Sequence, residues 1–134
     1  MMKVIIWTNE NGNVSVGTPA GDEPIEDIKA AHTPSHSIIV DHDSLPNADG
    51  DFFDAWELAD GTVSVNFTKA QNITKARLRA ERTPLLAAAD VAFQRALESN
   101  GDTTAIVAEK NRLRDITKLA DAAATLAELR ALHP

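Results

Sequence analysis

Three histidines, His32, His36 and His42, stand close together, the last flanked by Asp41 and Asp43. Imidazole and carboxylate are zinc ligands, so this stretch is the first place to look for a metal centre. Pro34 separates His32 from His36, which keeps the two off a shared helix face, and no spacing fixes a fourth ligand. NADGDFFDAWEL has the acid density of a calcium loop. With Asn47, Asp49 and Asp51 at the first, third and fifth positions, however, Phe52 falls where glycine is required and Leu58 where the bidentate glutamate belongs. Ser35, His36 and Ser37 offer hydroxyls beside an imidazole, but neighbours on an extended chain point to opposite sides. The chain has no cysteine, no G-x-S-x-G elbow, no phosphate-cradling glycine loop and no H-E-x-x-H. The expectation is a non-enzymatic protein with no cofactor and no metal, its histidines lining no deep polar pocket. A metal-dependent enzyme is the remote alternative.

The elements that would position these residues change character midway. Residues 1–67 hold two basic residues against twelve acidic ones, and residues 68–134 hold eleven basic against eight acidic. This asymmetry predicts two modules, 1–67 and 68–134. The acidic half argues against nucleic acid, because phosphate binding needs a basic face. The bases of the second half alternate with acids at helical spacing, as on a solvated helix face. The apolar run Val4, Ile5, Ile6, Trp7 is too short for a signal-peptide core or a membrane span. The expectation is a soluble protein made in the cytoplasm, with no nucleic-acid or membrane partner.

In the first half, residues 3–7 and 14–18 flank NENGN, where Asn11-Gly12 is a hairpin signal. PIEDIKAA predicts a short helix after Pro24. SIIVD predicts a third strand, and AWEL and TVSVN pair around Asp60-Gly61, a second hairpin signal. The second half reads as helix throughout. Leu86, Ala89, Phe93 and Leu97 form one apolar stripe, and Ile106, Leu113, Ile116 and Ala120 form a thinner one. Gly101 stops one helix, Asp102 or Thr103 caps the next, and Thr125 caps a last helical piece. The fold class is therefore α+β: a small N-terminal antiparallel β module with one short helix, then a C-terminal helical hairpin or bundle.

Pro84 stands inside an otherwise helical pattern. Thr83 and Pro84 could cap and start a new helix, or the helix could run through and kink. Residues 69–82 are strongly polar and have little to bury in a sharp hairpin. The expectation is one extended, bent helix from Thr68 to about Ser99, whose alanine-rich half pairs with the helix over residues 103–118. Phe52, Phe53 and Trp56 concentrate half of the Phe and Trp residues of an aromatic-poor chain. Read as an alternating strand, this stretch puts Trp56 with Asp54 and Leu58, and Phe53 with Ala55 and Glu57. Trp56 is then expected in the core and Phe52 or Phe53 at a contact, since aromatics are enriched at interface hot spots.

VIIWTNENGNVSV, FFDAWELADGTVSVN and the helical half together resemble the tail-assembly chaperone and tail-fibre assembly group of tailed bacteriophages. The motifs are R-x-x-R-x-x-L-L-x-x-x-D (Arg79, Arg82, Leu85, Leu86, Asp90), x-L-R-D-[IV] (Leu113, Arg114, Asp115, Ile116) and W-x-L-x-D-G (Trp56, Leu58, Asp60, Gly61). The resemblance covers residues 52–134 well and the rest loosely. It implies a phage tail protein that binds a tail-tip or tail-fibre polypeptide, with copies of itself as a further candidate partner. The expected role is a minor structural subunit incorporated in the virion tail; the alternative is a transient assembly chaperone. The residues expected at the partner are Phe52, Phe53, Leu86, Phe93 and Leu97.

Overall fold

In the computed structural model, which describes residues 2–134, the chain divides into two units, Met1–Lys69 and Ala70–Pro134. The fold is α+β. The first unit is built on β1 (Lys3–Thr8), β2 (Val14–Gly17) and β3 (Ile38–Asp41), which form an antiparallel sheet in the order β2-β1-β3. Strand alternation sets its two faces. Val4, Ile6 and Val14 pack with Leu45, Trp56 and Val63, and Val16, Ile38 and Val40 close around them. These side chains meet the hairpin β4 (Trp56–Ala59) and β5 (Thr62–Val65), so two small sheets share one core. On the opposite face Ile5 is fully buried, and α1 (Ile25–His32) packs against β1.

Local chemistry explains the turns. Asp60 and Gly61 both have positive φ (52° and 77°), which suits a two-residue hairpin turn between Ala59 and Thr62. The first hairpin uses a five-residue loop instead. There Asn9 Oδ1 accepts from the backbone N–H of Asn11 (3.0 Å) and of Asn13 (3.1 Å), and Gly12 takes φ 78°.

The stretch read as strand before Trp56 is not strand. Asn47–Ala55 winds in 3₁₀ turns, broken at Asp49 and Phe52, where φ and ψ leave the helical range. Long 3₁₀ runs are unfavourable, and this one is held from outside, by the Trp56 indole N–H donating to the Asp49 carbonyl at 3.2 Å. The alternation expected for Phe53 to Ala55 is thereby lost, and Phe52 and Ala55 are both buried.

The second unit is helical: α2 (Phe67–Glu98), whose first turn belongs to the first unit, then α3 (Thr104–Ala122) and α4 (Leu126–Ala131). Asn66 caps α2; its Oδ1 accepts from the Lys69 N–H at 2.9 Å. The helix runs through Pro84 without a break. Residues 80, 83 and 84 are exposed, so the carbonyl left without its helical donor faces water. At the far end the left-handed residue is Asn100 (φ 54°) rather than Gly101. Thr103 is the N-cap position of α3, and Asp102 just before it accepts from the Thr104 N–H at 2.9 Å; Thr125 caps α4 by accepting from the Glu128 N–H at 3.1 Å.

Candidate functional site

The histidines have three separate surroundings. His32 is exposed at the end of α1. His42 Nδ1 lies 3.7 Å from an Asp43 carboxylate oxygen. The Nε2–H of His36 donates to the Thr8 carbonyl at 3.1 Å. Among the described residues no group of three or more His, Asp or Glu side chains is placed to hold a metal ion. His36 lines an open cleft, with Trp7, Asn11 and Pro34 among its neighbours.

The aromatic cluster divides. Trp56 is 4% exposed and Phe52 5%, whereas Phe53 is 38% exposed. Phe52 is therefore a core residue and not a contact residue, because the 3₁₀ turns swing it inward where a strand would have turned it out. Phe53 stays at the surface, its ring 4.9 Å from the Trp56 ring and tilted by 57°.

In the second unit, long polar side chains tie the helices together. Gln71 Nε2 donates to the Ala120 carbonyl (3.1 Å), Arg77 Nη2 to Leu129 (3.1 Å), and Arg82 Nη1 to Arg114 (2.9 Å). Together with Lys110 pairing with Asp90 at 2.8 Å, these contacts set α2 and α3 antiparallel. The buried side chains gather at one end: Ala70, Thr74 and Leu78 of α2, Leu113, Ile116 and Ala120 of α3, and Leu129 of α4. Across residues 79–112 no side chain is buried. This far half of the hairpin meets through small residues, with Ala89, Ala92, Ala105 and Ile106 lining an open apolar groove.

Placement of the expected partner residues follows from helix phase. Leu86 and Phe93 are half-buried, and Phe93 lies under the Lys110 ammonium. Leu97 is 52% exposed, because Ala96 rather than Leu97 continues the half-buried stripe. Leu85 (43%), Val91 (51%) and Val107 (41%) are exposed as well. The sequence reading missed these three. Leu85 and Val91 carry a visible signal, since both are large aliphatic residues that lie off the stripe of Leu86, Ala89 and Phe93.

Surface carboxylates in both units are held in their charged form. A hydrogen bond from Lys110 lowers the pKa of Asp90, one from Arg77 lowers Glu81, one from Arg112 lowers Glu109, and one from Asn66 lowers Glu57. These are fixing contacts on solvated helix and strand surfaces. No helix is long and apolar enough to cross a membrane among the described residues. No protein-family model, curated protein or solved structure matches the chain.

Proposed function

We propose that this chain is a non-enzymatic tail protein of a tailed bacteriophage, a minor structural subunit that binds a tail-tip or tail-fibre polypeptide through the far half of its helical hairpin. The observation that carries the reading is the absence of any buried side chain across residues 79–112, in a segment that nevertheless exposes Leu85, Val91, Leu97 and Val107. Helices in proteins owe most of their stability to burying an apolar face, and this half of the hairpin has that stabilisation still to gain from a partner. The alanine-lined groove lets another helix approach closely, and each further buried methylene on the partner adds about 0.8 kcal/mol. The resemblance in the R-x-x-R-x-x-L-L-x-x-x-D and L-R-D-[IV] motifs supplies the phage-tail context. It spans this same hairpin.

Two measurements test the proposal. Quantitative mass spectrometry of purified phage particles should find the chain at a fixed copy number relative to the tail proteins. Absence from the particle, together with loss of soluble fibre when the gene is removed, would replace the subunit reading by that of an assembly chaperone. Co-purification with the tail-tip or tail-fibre polypeptide should weaken at least tenfold in a Val91→Asp, Leu97→Asp double variant, since two buried aliphatic contacts carry about that much affinity. Unchanged binding would place the contact elsewhere.

A further inference from the structure

We infer that the cleft beside Trp7 in the first unit receives an arginine side chain of a partner polypeptide. The cleft encloses about 660 Å³ where the end of β1 meets the segment after α1, and Trp7, Glu10, Asn11, Pro34 and His36 line it. The site is on the first unit, so it stands or falls independently of the helical docking surface.

The chemistry of the lining selects the ligand. Trp7 is half-buried, and its indole lies beside Gly17, where a Cβ would make ordinary contact with the ring at 3.5 Å. The indole lines the cleft. Two of the side-chain donors there are already committed. The Nε2–H of His36 is held by the Thr8 carbonyl, and Asn9 Nδ2 donates to Ser15 Oγ at 3.0 Å. The Asn9 carboxamide oxygen is also occupied, by two backbone N–H groups of the turn. The Glu10 carboxylate and the Asn11 side chain remain, on an exposed turn and without an ion pair among the described residues. An aromatic face, a free carboxylate and a carboxamide, with no free cation, suit a positively charged group. Pro34 offers an apolar wall for the methylene stem of a long side chain.

The charge of the unit points the same way. Residues 1–69 carry twelve carboxylates and three lysines. Two of those lysines are already paired, Lys3 with Asp41 at 2.5 Å and Lys69 with Glu57 at 3.2 Å. A field of this sign concentrates cations at a cleft. Arginine fits better than lysine, because its planar guanidinium stacks on an indole and is more weakly hydrated. The volume has room for a short stretch of peptide around that side chain.

The test uses the full chain, isotopically labelled, and follows the two indole N–H resonances by NMR. Trp56 is the internal reference, since its indole N–H is buried and bonded to Asp49. Acetyl-Ala-Arg-Ala-amide should shift the Trp7 signal saturably in the millimolar range and leave Trp56 unmoved. The peptide with citrulline in place of arginine keeps the shape and loses the charge. It should bind about fivefold more weakly, the scale of one exposed cation–π contact. Glu10→Gln should weaken the arginine peptide about threefold, and roughly 0.5 M salt should weaken it further. Equal binding of the two peptides, or no Trp7 shift at about 50 mM, overturns the proposal. So does a neutral oligosaccharide that moves Trp7 at a lower concentration than the arginine peptide.

Discussion

The ammonium of Lys110 on α3 lies 4.8 Å from the centroid of the Phe93 ring on α2, and the same ammonium pairs with Asp90 at 2.8 Å. In a half-hairpin without a single buried side chain, this three-residue contact joins the Arg82 bond to the Arg114 carbonyl as a specific link between the helices. Lys110→Met keeps the stem and removes the charge. Hydrogen exchange of residues 86–97 and 104–111 should accelerate about threefold, from loss of a cation–π contact on a partly shielded ring. Amides of β1 should not change. Uniform acceleration through both units would show that the link is not local.

Acid should loosen the helical unit through carboxylates that are stabilised in the charged form. Asp90 and Glu81 have pKa values lowered in the folded protein by Lys110 and Arg77. A lowered folded pKa means the unfolded chain takes up protons first, so the contribution is complete above the ordinary carboxylate range and is lost as pH falls through the lowered values. Thermal melts should be flat from pH 7 to about 5 and decline below about 4. In an Asp90→Asn, Glu81→Gln variant that decline should be shallower. An identical profile in the variant would remove these two groups from the account.

Pro84 interrupts the hydrogen bonding of α2 without ending the helix. Pro84→Ala restores one backbone N–H at an exposed position. Urea denaturation followed by circular dichroism should show a gain of about 1–3 kcal/mol, within the range of an interior helical proline. A loss of stability would mean that the proline ring, or a bend it imposes, is required by the packing.

Phe52 and Phe53 are adjacent and should behave differently. Phe52→Ala empties part of the core and should cost about 3–5 kcal/mol. Phe53→Ala, on a side chain 38% exposed, should cost about 1 kcal/mol, mostly from its edge contact with Trp56. Equal losses in denaturant melts would contradict the division of the pair.

Much of the fold was legible because its signals are local. Asp60-Gly61 names its own turn, since few other residue pairs take positive φ at both positions, and the alternation of Val14 and Val16 marks a strand with one face inward. The stripe of Ile106, Leu113, Ile116 and Ala120 placed α3 correctly for the same reason: a 3.6-residue period is written in the chain. Thr125 announced its cap by residue type.

What the sequence by itself determined, then, was the class of each half, the positions of most elements and the charge carried by each unit. The tertiary structure decided the matters in which local preferences were balanced. Pro84 fits a helix start as well as a helix interior, and the contacts of α2 with α3 on both sides of it, from Arg82 to Arg114 and from Asp90 to Lys110, favour one continuous helix. Residues 52–55 have strand-compatible composition, but the bond from Trp56 to the Asp49 carbonyl accompanies 3₁₀ turns that send Phe52 into the core. Ala96 and Leu97 differ by one position of helical phase, and only the direction of α3 selects which of them is covered. The cleft at Trp7 joins residues near position 10 to residues near position 35, a neighbourhood created by the pairing of β1 with β3. Propensity and periodicity act over a few residues along the chain, whereas burial and site geometry depend on which distant segments meet.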